Sequence, residues 1–286
     1  EIWLGLVGSE MCIRDSQIPF MKMHGLGNDF VIIDSRNDSF LISPEITRRL
    51  GDRHRGIGFD QLAIIHNSSN ADIALTFYNV DGSTSAACGN ATRCIAQYEM
   101  DRMNIDSLSL TTERGVLSAK RNGNFVSINM GHPQLKWDEV PLAKSMDTLH
   151  LPLDGRPTAT GMGNPHCTFF VKDSEAVDLE HLVPVFEKNL LFPKQTNVQF
   201  AHVIGKDHLR MRVWERGVGI TMASGSSSCA TAVAAARLGL TGREVTIQLD
   251  GGPININWRD DGVWMTGATM HVFNGTLTTQ FLESLR

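Results

Sequence analysis

The sequence predicts an α+β fold of two pseudo-symmetric lobes, each a curved, mostly antiparallel sheet around a central helix. Two observations carry this: an internal repeat with one constant offset, and in each repeat a set of short strand-like runs leading into one small-residue helix. Gly25-Leu26-Gly27-Asn28 recurs as Gly161-Met162-Gly163-Asn164, 136 residues later. At that offset Gln61 falls on Asn197, Asn79 on Glu215, and Cys88-Gly89-Asn90 on Ser224-Gly225-Ser226. Agreement at four separated places without an insertion points to a duplicated domain whose halves keep polar groups at equivalent positions.

The elements follow in order. Residues 30–34 and 168–172 are short β-branched and aromatic runs, each just after its Gly-x-Gly-Asn segment, and read as strands. Residues 73–78 and 209–214 are strands that run into turns at Asp81-Gly82 and Arg216-Gly217. After each turn a small-residue stretch opens a helix, from Ala87 to about Met100 in the first half and from Ala223 to Leu238 in the second, where Gly239 is a stop signal. Residues 115–120, 124–130 and 244–249 are further strands. One main helix per half among many strands argues against a doubly wound parallel sheet. Residues 138–153, broken by Pro141 and Pro152, are the expected crossing between halves. The first twenty residues lack the basic start, apolar core and cleavage site of a secretory signal. They are set aside, with Cys12, as a non-native leader ahead of an N-terminal lobe over 21–137 and a C-terminal lobe over 138–269.

Composition narrows the function. With 286 residues, 42% of them hydrophobic, the chain can build one large core or two ordinary ones. A net charge of −5 without a basic stripe argues against nucleic acid as a partner. No apolar run approaches the ~18 residues that span a bilayer. Five cysteines, an odd number with no Cys-x-x-Cys pair, fit a reducing cytoplasm and neither a zinc knuckle nor a redox motif. Gly-x-Gly-x-x-Gly, the phosphate-binding loop and His-Glu-x-x-His are all missing, so neither cofactor nor metal is expected.

Cys88 and Ser224 each stand at the start of a helix, where unpaired N–H groups and the helix dipole favour negative charge. That setting is expected to lower a cysteine pKa from about 8.5 towards neutrality, and it also binds an anion such as a substrate carboxylate. Inverting a carbon centre without a cofactor needs a base on one face and an acid on the other. Two helix N-termini facing each other across a pocket would supply both, with Cys88 and Ser224 on opposite walls and the substrate carboxylate between them. Cys94, Cys167 and Cys229 are expected to pack in the core.

The segments MKMHGLGNDFVIID, GIGFDQLAII, YNVDGSTSAACGNATRC, GMGNPHC and VWERGVGITMASGSSSC together resemble diaminopimelate epimerases, in order and across the chain from Met21. The resemblance implies two similar lobes with the active site in the cleft, and a C-terminal segment, 270–286, that returns to the first lobe. It implies cofactor-independent conversion of LL-2,6-diaminopimelate to the meso form by two-base proton transfer, a step feeding lysine and peptidoglycan synthesis. A small-molecule amino acid is then the substrate, with the cytoplasm as the location and a homodimer as the expected assembly. Cys88 matches the first catalytic cysteine and Ser224 the place of the second, while His166 and Glu215 match groups that assist them. Asn28, Gln61, Asn79, Asn164, Asn197, Glu215 and Arg216 match substrate-binding positions. So do Gly89, Asn90, Gly225 and Ser226, beside the two cysteine positions.

The chain departs from the family pattern. Near the second cysteine that pattern is roughly ACGTGxC, whereas here Ser224 replaces the first cysteine and Ser227 the glycine two residues before the terminal one, Cys229. Ile220 stands where glutamate is common, and Ala91 replaces a glycine beside Cys88. A serine hydroxyl is a poor acid and base, so impaired turnover is expected. A hydroxyproline-type racemase or dehydratase, and an inactive ligand-binding variant, are the competing readings.

Overall fold

The computed structural model describes residues 17–37 and 42–285. The N-terminal lobe runs through β1 (Ile18–Gly25), β2 (Asn28–Asp34), α1 (Pro44–Gly51), β3 (Gln61–His66), β4 (Ile73–Asn79), β5 (Thr84–Ser85), α2 (Gly89–Met103), β6 (Ser107–Thr112), β7 (Gly115–Asn122) and β8 (Phe125–Asn129). The C-terminal lobe repeats that order with β9 (Thr158–Gly161), β10 (Pro165–Phe170), α3 (Leu179–Glu187), β11 (Asn197–Gly205), β12 (His208–Glu215), β13 (Gly219–Thr221), α4 (Gly225–Arg237), β14 (Glu244–Leu249), β15 (Gly252–Arg259) and β16 (Gly262–Gly267). β17 (Met270–Leu277) and α5 (Thr279–Ser284) follow.

The duplication is visible in the pairing register. β2 and β3 run parallel with Phe30 opposite Gln61, and β10 and β11 run parallel with His166 opposite Asn197, each residue displaced by the same 136. Beyond the helices the offset grows by one. Ile73 of β4 faces Leu110 of β6, but Leu209 of β12 faces Ile247 of β14, so the second lobe carries one extra residue between α4 and β14. These four parallel pairings are the exceptions among the described strands; the other ladders are antiparallel, and hairpins make most of them.

Each lobe wraps its sheet around one helix. Both α2 and α4 are buried over most of their length, so neither shows a polar stripe. Small residues permit this: Ala91, Ala96, Ala230, Ala232, Ala234 and Ala235 let the strands close around the axis. The two helices share one core, in which Ile95 and Met100 of α2 join Val233 of α4 and Met265 of β16. β16 of the second lobe pairs with β8 of the first, Trp264 opposite Asn129, which closes the seam. α2 runs to Met103, past the expected end, because Asn104 supplies a left-handed cap at φ 54° whose N–H reaches back to Asp101 and Met100.

Two smaller clusters flank this core. Val140, Leu142 and Leu151 of the crossing segment pack against Phe169 and Phe200, whose rings stack at 4.7 Å. At the other end β17 pairs antiparallel with β1, from Ile18 opposite Leu277 to His24 opposite Met270. Ile18, Phe20, Leu277 and Leu282 then cover Val31, Ile33 and Leu50. Ile18–Phe20 thus belong to β1, and the boundary drawn after residue 20 on sequence grounds cuts through a paired strand; residues 1–16 of that leader lie outside the described residues.

Candidate active site between two helix N-termini

Cys88 and Ser224 take the same place in the two lobes. Each is the N-cap of its lobe's buried helix, extended at φ −140° and −134°. Thr92 closes the first turn of α2 with its N–H and hydroxyl on the Cys88 carbonyl at 2.9 and 2.8 Å. Ser228 does the same to Ser224 at 3.1 and 2.7 Å. The two turns meet around Met265. A β-carbon on Gly89 or on Gly225 would lie 2.8 Å from its thioether end, so glycine at both positions following the caps lets that side chain pack against both turns. Asn90 bridges the lobes: its amide donates to Asn28 Oδ1 at 3.1 Å and makes a long 3.5 Å contact to the Ala223 carbonyl, while its own Oδ1 is buried without a partner.

The first lobe's residues form a chain of amides. Asn28 donates to Asp60 at 2.8 Å, Gln61 donates to Asn79 Oδ1 at 2.8 Å, and Asn79 donates to Ser83 at 3.0 Å. Asp60, which was not singled out in the sequence, also accepts from Arg53 at 2.8 Å and so orients Asn28. In the second lobe Asn164 and Asn197 keep the amides of Asn28 and Gln61, but Glu215 replaces Asn79 and His166 replaces Phe30, which brings in acid–base groups. His166 is completely buried, its Nε2 donating to Asn164 Oδ1 at 2.9 Å and its Nδ1 accepting from Gln199 at 3.1 Å. Asn197 spends its whole amide on backbone: Nδ2 donates to the Pro165 carbonyl and Oδ1 accepts from the Arg216 N–H, both at 3.0 Å. In this geometry it shapes the Glu215–Arg216 turn. Arg216 is exposed, with one guanidinium nitrogen on the Lys194 carbonyl at 2.8 Å. Ser226, in the first turn of α4, is only partly buried.

Glu215 stands beside Ser224. One carboxylate oxygen accepts from Thr221 at 2.8 Å and the other from Ser224 at 3.1 Å. The surrounding protein raises its pKa, because burial penalises the charged form more than these two bonds favour it. Burial likewise drives the His166 imidazole down to about 3, helped by the nearby positive charges of Arg114 and Arg216. The expected depression of the Cys88 thiol is not found. Burial pushes it up to about 12 against the opposing bond from the Ala91 N–H at 3.5 Å, and the charge of Glu215 raises it further. With Cys88 8% exposed, a long N–H···S contact cannot repay desolvation of a thiolate. Cys88 therefore rests as the thiol, a proton donor, and the Glu215–Ser224 pair is the better acceptor.

Three further residues shape this centre without having been picked out as site residues. Ser227 and Gln199 lie beneath Ser224, and Arg93, fully buried one turn beyond Asn90, has two guanidinium nitrogens without partners. The signal in the sequence for the first is its replacement of a family glycine. Cys94, Cys167 and Cys229 are buried and free, as core packing requires. No cluster of three His, Cys, Asp or Glu side chains able to hold a metal occurs among the described residues. No helix among them is long and apolar enough to cross a membrane. The surface hollow bounded by Lys120, Asn255 and Trp264 includes none of these site residues.

Comparison with known proteins gives the same picture. Solved structures share the shape at low identity: a phenazine biosynthesis PhzF-family protein of Bacillus anthracis is 14% identical with a TM-score of 0.66, over 92% of this chain and 99% of that one. A hydroxyproline epimerase of Agrobacterium vitis, solved with trans-4-hydroxy-L-proline, is 12% identical with a TM-score of 0.64, over 92% and 93%. These likenesses establish the fold. Sequence relatives are nearer: the diaminopimelate epimerase of Rhodospirillum centenum is 47% identical over 92% of this chain and 93% of its own length. That of Acidiphilium cryptum is 44% identical over 92% and 98%. The family model for diaminopimelate epimerase matches residues 20–136 and 158–272, one stretch in each lobe and both helix N-termini included. The chain belongs to the diaminopimelate epimerase family.

Proposed function

We infer that this chain epimerises LL-2,6-diaminopimelate to the meso form, without a cofactor, and that Ser224 slows it. The observation that carries the reading is the pair of equivalent helix N-caps, Cys88 and Ser224, whose first turns pack on the same Met265 between duplicated lobes. A substrate carboxylate at that junction would meet N–H groups from both helices. Its α-carbon would then have the Cys88 thiol on one side and the Ser224 hydroxyl on the other. One group removes the α-proton while the other returns a proton to the opposite face, and the two helix dipoles stabilise the charge that develops. Asn28, Asn164, Glu215 and Arg216 are the proposed contacts for the ammonium and carboxylate groups. Cys88 and Ser224 are 8% and 3% exposed, so substrate entry requires the lobes to part and closure to follow.

The test is turnover of LL-diaminopimelate, followed by chiral separation, for this chain and for Ser224→Cys. Replacing a thiol by a hydroxyl on one face removes most of a general acid–base contribution. The Ser224→Cys form is therefore expected to be roughly 10²–10⁴-fold faster. Equal rates would show serine to be a full partner. Turnover of hydroxyproline by either form, with none of diaminopimelate, would replace the substrate assignment. A homodimer in the cytoplasm is the proposed setting, checked by light scattering and cell fractionation.

A further inference from the structure

We propose that Ser227, together with Gln199, is a positioning residue for the second face: it holds the Ser224 hydroxyl between the substrate carbon and Glu215, so that Ser224 carries a proton that Glu215 stores. The proposal rests on the epimerase reading above. Four contacts support it. Ser224 Oγ lies 3.1 Å from Glu215 Oε2 and 2.9 Å from Ser227 Oγ. Ser227 Oγ in turn accepts from Gln199 Nε2 at 3.0 Å and lies 3.4 Å from His166 Nδ1. All three hydroxyl and amide groups are sealed from solvent, Ser224 at 3% exposure and Ser227 and Gln199 at zero. Position 227 is where the family pattern has glycine, which offers no hydroxyl, so the second hydroxyl accompanies the replacement of the thiol in the same helical turn.

The proton count is simple. When Ser224 is the base, the α-hydrogen leaves as a proton to Ser224 Oγ while the Ser224 hydroxyl proton passes to a Glu215 carboxylate oxygen. The C–H electron pair stays on the substrate as the carbanion, and the acid formed is Glu215. When Ser224 is the acid, the Glu215 proton passes to Ser224 Oγ as the Ser224 proton passes to the carbanion, which restores the carboxylate. Ser224 is a neutral hydroxyl before and after, so its own unfavourable ionisation is avoided. Ser227 makes this work as a fixed acceptor. Its Oγ accepts from Gln199 and faces His166 Nδ1 with its own proton, so the Ser224 hydroxyl turns between two acceptors, Glu215 Oε2 when the carboxylate is charged and Ser227 Oγ when Glu215 holds the proton and donates to Ser224. His166 offers the other conceivable store, reached through Ser227, but burial holds the imidazole neutral, whereas burial raises the carboxyl and suits it to keep a proton. The carboxyl wins.

The experiment is α-hydrogen exchange in deuterium oxide, with LL- and meso-diaminopimelate each reporting one face, read by chiral separation and mass spectrometry. The isomer whose exchange survives Ser224→Ala marks the Cys88 face. Ser227→Ala is expected to lower exchange at the Ser224 face, relative to the Cys88 face, about tenfold through kcat with KM little changed, the loss of one buried hydrogen bond. Ser227→Thr, which keeps the hydroxyl, is expected to recover most of that ratio. In the Ser224→Cys background Ser227→Ala is expected to change the ratio by less than about twofold, since a thiolate needs no conduit. An unchanged ratio in Ser227→Ala overturns the proposal, and so does equal loss in the Ala and Thr forms. Inversion in the unaltered chain with a ratio that Ser227→Ala leaves unchanged overturns this proposal alone, whereas exchange at the Cys88 face with none at the Ser224 face, and so no inversion, overturns the epimerase reading with it. Exchange at neither face in the unaltered chain overturns both.

Discussion

Acid should unfold this protein through His166 before it does so through its carboxylates. His166 is wholly buried and neutral, with an imidazole held near 3, while in the unfolded chain it titrates near 6.5. The unfolded state therefore binds a proton below about pH 6.5 that the folded state refuses until about pH 3. The stability this represents is complete above 6.5 and is lost as pH falls towards 3, at a slope approaching about 1.4 kcal/mol per pH unit. From pH 6.5 to 4.5 the loss is about 2–3 kcal/mol, a large part of a typical folding free energy. His66, partly buried, acts in the same sense, and His181, paired with Asp178 at the surface, in the opposite sense. Asp29 and Asp34, whose pKa values are lowered, lose stability only at lower pH, and Glu215, whose pKa is raised, opposes the trend. The control is His166→Gln, whose amide can donate to Asn164 Oδ1 and accept from Gln199 without titrating. Urea unfolding at pH 7.5 and 4.5 should show the unaltered chain losing about 2 kcal/mol more than the variant between the two. Equal losses in the two proteins would refute the argument, because all other titrating groups are shared.

Two more substitutions test the packing around the site. A β-carbon on Gly251 would lie 1.8 Å from the Leu26 carbonyl, in the loop that carries Asn28, so Gly251→Ala should cost about 1–3 kcal/mol in a thermal melt and also raise KM; a melt and KM like those of the parent would refute it. Arg93 buries two partnerless guanidinium nitrogens with no acidic neighbour, so Arg93→Met should stabilise the protein by about 2 kcal/mol and raise Tm by about 3 °C in calorimetry, and a lowered Tm would show that the cation is satisfied.

Much of the fold was legible because the duplication is legible. One offset, read from a Gly-x-Gly-Asn pair, places β2 on β10, β3 on β11, β4 on β12 and α2 on α4, with the parallel β2–β3 register repeated residue for residue in β10–β11. Identity is not needed for this, only polar or small residues where the loops meet. The offset was less informative past α4, where one inserted residue in a surface turn shifts every later strand without touching the site. The end of α2 was misjudged because a left-handed asparagine cap looks like any other loop asparagine. The start of β1 was missed for a different reason. Ile18–Phe20 gain their place only by pairing with Gly275–Leu277, some 250 residues away, and no local pattern announces that partner.

The site shows where sequence patterns reach their limit. Cys88 and Ser224 are helix N-caps, as their place in the sequence predicts, but the thiol shifts in the opposite sense to that expected of an N-cap, since dipole and capping bonds are local and burial is not. Whether a capping thiol ionises depends on how much protein closes over it, and here Met130 and Met265 pack against the same turn. The lobes also differ in a way that symmetry conceals. Position 79 is an asparagine tied to Gln61, while its counterpart, Glu215, is a carboxylate tied to the N-cap hydroxyl. On the function proposed above, duplication supplies two equivalent anchoring points for a carboxylate, and divergence at single positions decides which of them can hold a proton. On that view the loss of the second thiol leaves the second face with a carboxyl store and a hydroxyl in contact with it. The chemistry left to that face depends on how firmly the hydroxyl is held, which is a property of Ser227 and Gln199 and not of Ser224 alone.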